Sequence, residues 1–237
     1  MTTISSSSPA ATRDRSAIRV GIVDDHALVS ETLALVLNDK GFIAHALRPT
    51  QISDVAPFVA EHELNVILLD LNLQELGLSV PVIPQLRELG CRVIVLTGDT
   101  TRPLWGACIE AGAETVMSKA VSFTELLERV TELLDEVVGR PRTETYELLE
   151  CLREHREQER RRLAPFAHLT VREHEVLLAL TLGMSADDIA ASMYVSLTTV
   201  RTHIRSILHK LGVSSQLAAV ALAIRAGWDG APAPAHA

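Results

Sequence analysis

Val66-Ile67-Leu68-Leu69-Asp70 is the stretch on which the fold turns. Four apolar residues follow one another without polar alternation, and the run stops at a carboxylate. Such a run reads as a strand buried on both faces, as in a parallel sheet covered by helices. Working outward, Val93-Ile94-Val95-Leu96 stops at Thr97, Val116-Met117 precedes Ser118-Lys119, and Ile18 to Val23 stops at Asp24-Asp25. Phe42 to Leu47 is a fifth, shorter strand. After the first strand, Leu28, Leu33, Val36 and Leu37 recur at helical spacing. Ser122-x-x-Glu125 is a capping box that opens a helix through Val138. Strands alternating with helices over short connections predict an α/β, doubly wound, five-stranded parallel sheet over residues 17–139.

The rest of the chain has a different character. Residues 1–16 (MTTISSSSPAATRDRS) and 229–237 lack periodicity and read as disordered tails. Residues 140–167 follow the helix breakers Gly139 and Pro141 and are dense in Glu and Arg, with Leu148, Leu149, Leu152 and Leu163 as thin apolar content. They read as an exposed helical linker, with a short coiled-coil seam as the weaker alternative. Residues 168–228 read as short helices with marked starts: Thr170-x-x-Glu173, Ser185-x-x-Asp188, Ser196, and Ser214 or Ser215. Gly183, Gly212 and Gly227 mark the stops. This order predicts a small all-α helix-turn-helix domain after the sheet.

Composition excludes several classes. Of 237 residues, 47% are hydrophobic and 3% aromatic, so the core rests on Leu, Val, Ile and Ala. No apolar run is long enough to span a bilayer and no signal peptide is visible, so no membrane partner is expected. Cys91, Cys108 and Cys151 are scattered without C-x-x-C spacing, which excludes a disulfide framework and fits a reducing cytoplasm. Residues 1–138 carry 10 Lys/Arg against 19 Asp/Glu, whereas residues 168–237 carry 5 against 5. An acidic front half and a neutral back half imply two domains with separate tasks.

Open parallel sheets bind ligands at the carboxyl ends of their strands. There this sequence places Asp24, Asp25, Asp70, Thr97 and Lys119. Singly, the charged ones have plain readings: a helix-capping pair, a solvated loop carboxylate, a surface ammonium. Jointly they make a crevice of three carboxylates, which a hard divalent cation such as Mg²⁺ would neutralise with oxygen ligands. Lys119 and Thr97 then suit the oxygens of a phosphoryl group.

These residues resemble the receiver domain of two-component response regulators, and Asp25-His26 followed by Leu28-Val29 is similar to the NarL/FixJ branch. The resemblance covers residues 17–139. It implies that Asp70 is the phosphoacceptor, supplied by a sensor histidine kinase. It implies Asp25 as a direct Mg²⁺ ligand with Asp24 acting through water, the Asn72 carbonyl as a further ligand beside Asp70, and Thr97 and Lys119 on the phosphoryl oxygens. The sequence departs from the family at Val116, where an aromatic switch residue is usual, and at Ala120, where proline is frequent. The loop from Asn72 to Gly77 also lacks the usual proline.

In the second domain, Val200, Ile204, Ile207, Leu208 and Leu211 fall on one helical face. Thr198, Arg201, Thr202 and Arg205 fall largely off it. Two arginines four apart share an exposed stripe that suits base edges and phosphates, or simply a solvated basic face. Leu169-Thr170-x-Arg172-Glu173-x-Glu175-Val176-Leu177, Ile189-Ala190, Val200-Arg201-Thr202-His203 and Lys210-Leu211-Gly212-Val213 resemble the LuxR-type helix-turn-helix over residues 168–227. That resemblance implies DNA contacts at Arg201, Thr202 and Arg205, a phosphate contact at Lys210, and a DNA-bound homodimer through Leu217, Val220 and Ala221, whose spacing reads equally as plain core. A neutral DNA-binding domain is unusual. The expectation is weak binding by the monomer, restored by dimerisation on two half-sites, with Arg160-Arg161-Arg162 adding phosphate contacts.

Other classes have less support. His168 and His174 read as surface residues, and no histidine spacing matches a metal motif. A phosphatase with Asp70 as nucleophile and Mg²⁺ is the enzyme alternative, which an attached DNA-binding module argues against. A receiver fold that is never phosphorylated, with DNA binding independent of it, is the other. The reading taken is a DNA-binding response regulator that is not an enzyme.

Overall fold

The computed structural model of the chain describes residues 18–120, 122, 124–125, 127–128 and 143–230. Five parallel strands form one sheet in the order β2-β1-β3-β4-β5: β1 Arg19–Val23, β2 Ile43–Leu47, β3 Val66–Asp70, β4 Arg92–Thr97 and β5 Thr115–Ser118. The helices interleaved with them are α1 (Ala27–Asp39), α2 (Val55–Glu61), α3 (Ile83–Glu88) and α4 (Arg102–Glu110). Ser122 Oγ accepts from the Glu125 backbone N–H, as the capping box predicts, and residues 124–125 and 127–128 are helical. The rest of that expected helix lies outside the described residues, as do the expected tails apart from Asp229 and Gly230.

The twofold period of a strand explains why the central runs had to be apolar throughout. Ile67 and Leu69 face a core with α2, α3 and α4, where Val55, Phe58, Ile83, Leu86, Val93, Val95 and Val116 gather. Val66 and Leu68 face the opposite core with Val20, Ile22, Leu33, Leu37, Ile94 and Met117. Each central strand is therefore covered on both sides, and its polar residue is displaced to its carboxyl end. Order reversal falls between β1 and β3, so the ends of these two strands border the crevice.

Five further α-helices follow among the described residues: α5 (Thr143–Leu163), α6 (Val171–Thr181), α7 (Ala186–Ser192), α8 (Leu197–Leu211) and α9 (Gln216–Arg225). Two compact units meet at the Arg153/Glu154 boundary, inside α5. The linker is thus helical as expected, but its first half is not exposed throughout. Leu148 and Leu152, four residues apart on one face, are buried against α4 at Gly106. A side chain at Gly106 would collide with the Leu148 carbonyl oxygen and lie 2.8 Å from Leu152 Cβ. The second half carries paired charges: Arg160 and Arg161 bond Glu157, and Arg162 bonds Glu159.

In the second unit the caps fall at the expected residues. Thr170, Ser185, Ser196 and Ser215 each accept a backbone N–H with their hydroxyl, at Glu173, Asp188, Thr199 and Ala218. Gly212 ends α8 at φ 67°, a left-handed conformation costly for any residue with a Cβ. Phe166, Val176, Leu177, Ile189, Val200, Ile204, Ile207, Ala219 and Trp228 form its core. His174 departs from expectation. It is buried, tilted against Trp228 with its Nδ1 3.3 Å from the Gly230 carbonyl oxygen, because Trp228 closes the underside of α6.

Candidate functional site

The crevice at the strand ends brings the predicted residues together. Asp70 ends β3 and is 5% exposed, and Asp24, one residue beyond β1, is 1% exposed. Lys119, one residue beyond β5, reaches across both: its Nζ lies 2.6 Å from Asp24 Oδ2 and 2.7 Å from Asp70 Oδ2. The Asn72 backbone N–H lies 3.3 Å from Asp70 Oδ1. Thr97 is buried, and its hydroxyl accepts the Asp99 backbone N–H at 2.9 Å. Burial pushes the Asp70 carboxyl up to about 6, while the Lys119 hydrogen bond pulls the other way.

Asp24, Asp25, His26 and Asp70 hold candidate ligand atoms all within 4.8 Å of one another. Asp25 Oδ1 is 2.9 Å from His26 Nδ1, but Asp25 Oδ2 is buried with no hydrogen-bond partner. An unpartnered buried carboxylate oxygen is costly, and here it stands among two other carboxylates balanced by one ammonium. Hard oxygen donors, excess negative charge and an orphaned oxygen fit a divalent cation of the Mg²⁺ kind.

Two supporting residues escaped the sequence reading. Ser79 is fully buried, and its hydroxyl donates to the Asp70 carbonyl oxygen at 2.7 Å, tying the 71–79 loop to the end of β3. Nothing in a lone serine after a glycine-containing loop announces this. His26 donates its backbone N–H to Asp24 Oδ1 at 2.9 Å, and its ring turns toward both aspartates. Its adjacency to Asp25 was the available signal. Val116 is buried in the core facing α4, where it packs as an ordinary aliphatic residue.

In the second unit, Thr198, Arg201, Thr202 and Arg205 are all exposed on α8, opposite Val200, Ile204, Ile207 and Leu211. The Thr202 hydroxyl donates back to the Thr198 carbonyl. Arg201 and Arg205 make no ion pair among the described residues. Lys210 is differently placed from the other expected contacts. Its Nζ is 2.6 Å from Glu173 Oε2, and Ser206 donates to the other oxygen. Burial would raise the Glu173 pKa, but Lys210, Ser206 and the Thr170 cap outweigh it and hold the carboxyl at about 2. Lys210 therefore serves first to join α8 to the start of α6, because a buried carboxylate needs a cation.

Residues 20–131 match the response regulator receiver domain, and residues 167–223 match the bacterial regulatory proteins of the luxR family. The probable transcriptional regulatory protein NarL of Mycobacterium tuberculosis is 31% identical over 210 residues, covering 88% of this chain and 94% of that protein. The nitrate/nitrite response regulator protein NarP of Escherichia coli is 34% identical, covering 86% of this chain and 93% of that protein. This chain belongs to the NarL family of response regulators. The transcriptional regulatory protein LiaR of Bacillus subtilis is 30% identical over a similar span. As a member of the NarL family, the chain is a DNA-binding transcription regulator: a receiver of the two-component type followed by a helix-turn-helix domain. Among the described residues, no single helix is long and apolar enough to cross a membrane.

Proposed function

We propose that this regulator is phosphorylated on Asp70 by a sensor histidine kinase, and that the phosphoryl group governs dimerisation and DNA binding. The observation that carries the reading is the Lys119 ammonium between Asp24 and Asp70, beside an Asp25 oxygen without a partner. Asp24, Asp25, Asp70 and the Asn72 carbonyl would hold Mg²⁺, which supplies charge neutralisation when an anionic phosphoryl group approaches a carboxylate. As an Asp70 carboxylate oxygen attacks phosphorus, the P–N bond to the kinase's phosphohistidine breaks and its imidazole leaves and is protonated, while Lys119 and Thr97 bind the oxygens of the transferred phosphoryl group.

Transmission runs through Thr97. Its hydroxyl holds the Asp99 N–H, and the Asp99 carbonyl accepts from the Trp105 indole at 2.9 Å. Turning the hydroxyl toward a phosphoryl oxygen releases the 98–101 loop and biases α4, on which the first half of α5 sits at Gly106. This route does not need an aromatic residue at position 116. Thr198, Arg201, Thr202 and Arg205 then read DNA from α8. Lys210 contributes to phosphates only by sharing its charge with Glu173, and the exposed Leu217 on α9 belongs to the dimer contact.

The test is the affinity of the full chain for a duplex selected by it from a randomised pool, before and after acetyl phosphate and Mg²⁺. Binding tightens on treatment of the wild type and does not change for Asp70→Asn. Equal tightening in both, or none in a wild type shown to carry the phosphoryl group, refutes the coupling.

A further inference from the structure

Tyr194 lies in the turn between α7 and α8, two residues before the Ser196 cap of α8. It is 96% exposed in a chain where only 3% of residues are aromatic. Its φ is +56°, in the left-handed region that disfavours residues with a Cβ. The position follows the end of α7, and after six other described helices the corresponding left-handed residue is glycine: Gly41, Gly90, Gly112, Gly183, Gly212 and Gly227. Glu63 after α2 is the other exception among the described helices, and its carboxylate has a partner in Arg19 at 3.0 Å. Tyr194 has none: its ring stacks on no other ring and its hydroxyl makes no hydrogen bond among the described residues. Folding therefore gives no reason for tyrosine here, and backbone strain gives a reason against it. An unfavourable backbone conformation that presents an unpartnered, fully exposed side chain beside a recognition helix points to a ligand.

The neighbouring charges say which ligand chemistry fits. Phosphate contacts supply most of the affinity for DNA, and this unit has few cations to make them. Residues 168–237 hold five Lys/Arg. Lys210 is bound to the buried Glu173 and Arg172 to Glu175. Neutral donors must carry part of the load, and tyrosine is among the side chains that hydrogen-bond phosphate oxygens. When the second helix of such a motif enters the major groove, the first crosses the sugar–phosphate backbone, so the turn between them lies at the groove edge.

We propose that Tyr194 is a DNA-contact residue whose phenol hydroxyl donates to a backbone phosphate oxygen at the edge of the groove that α8 enters. The inference rests on the reading of α8 as the DNA-binding helix. A neutral contact of this kind orients the domain without reading sequence and displaces no counterion.

The experiment compares the full-length wild type with Tyr194→Phe, Tyr194→Asn and Arg201→Ala on one duplex, selected from a randomised pool by the wild type. Tyr194→Phe removes only the hydroxyl, and asparagine tolerates the left-handed backbone. Tyr194→Phe is expected to raise Kd about threefold to tenfold, the range for one hydrogen bond. Tyr194→Asn is expected to raise it at least as much while the melting temperature holds or rises. The slope of log Kd on log salt and the selected sequence stay as in the wild type. Wild-type affinity in both Tyr194 variants overturns the proposal, as does an altered preferred sequence, which would make Tyr194 a base contact. Loss of binding in Arg201→Ala alone sinks the tyrosine contact and leaves the α8 reading standing. Wild-type binding by Arg201→Ala sinks the α8 reading and the tyrosine contact with it.

Discussion

Lys119 and Lys210 are the same residue type in two different employments. Lys119 stands 23% exposed between two nearly buried carboxylates at a crevice mouth, where an incoming anion can share it. Lys210 closes a pair with one buried carboxylate that has no other cation among the described residues. Removing the Glu173 charge leaves Lys210 partly buried and alone, and breaking such a pair costs about 3 kcal/mol. Glu173→Gln should therefore lower the urea midpoint of the second unit, followed by Trp228 fluorescence, while the receiver is unaffected. The acid limb carries the same information. The folded pKa of Glu173 is depressed from 4.5 to about 2, so its contribution is complete above pH 4.5 and is lost as pH falls toward 2. In the receiver, His45 stacks on His62 at 4.2 Å, and burial, then His62, then Arg19 hold its pKa below 6.5. The unfolded chain takes up that proton first, so the stability tied to His45 is present above pH 6.5 and declines as pH falls below it. His45→Gln should flatten this part of the profile in denaturant melts across pH 5 to 8.

Among the elements, the strands were the most legible. Val66–Leu69 and Val93–Leu96 are apolar because they face two cores, and that same constraint pushes Asp70 and Thr97 to the crevice. The caps of α6, α7, α8 and α9 were equally plain, since each uses a local hydroxyl-to-backbone bond that sequence spacing specifies. The linker was legible as a helix but not as a docked one. Docking depends on Gly106 in α4 meeting Leu148 and Leu152 over forty residues away, and a glycine inside a helix does not name its partner. Gly106→Ala would ordinarily favour a helix by about 1 kcal/mol. Here the new methyl group collides with the backbone of α5, so residues 144–152 should lose hydrogen-exchange protection while the sheet keeps its own. Unchanged protection there would contradict the close approach. Pairing of Arg160 and Arg161 with Glu157 also followed no visible rule beyond the spacing of three and four.

At the scale of the molecule, charge divides the labour. The acidic receiver gathers carboxylates that Lys119 balances only in part, a charge excess that suits a divalent cation. The neutral second unit places Arg201 and Arg205 on an exposed stripe, and its low cation count is the reason to expect weak DNA binding by a single copy. Two copies on two half-sites double the phosphate contacts, so the dependence of log Kd on log salt should steepen when dimers form. Sedimentation and titration of the same sample across salt concentrations would check this. The gathering of Asp24, Asp70, Thr97 and Lys119 was readable because strand ends converge by topology. Ser79 and the buried Asp25 oxygen were not, because both depend on loop paths that no local pattern encodes.

Acceptance of a phosphoryl group by Asp70 is the proposed step on which all the others depend. It is tested most directly by intact mass after incubation with acetyl phosphate and Mg²⁺, with wild type and Asp70→Asn side by side. One phosphoryl adduct is expected on the wild type, lost on chelation of Mg²⁺ beforehand, and none on Asp70→Asn. An adduct that persists in Asp70→Asn, or a wild type left unmodified under conditions that modify a control receiver, would contradict it.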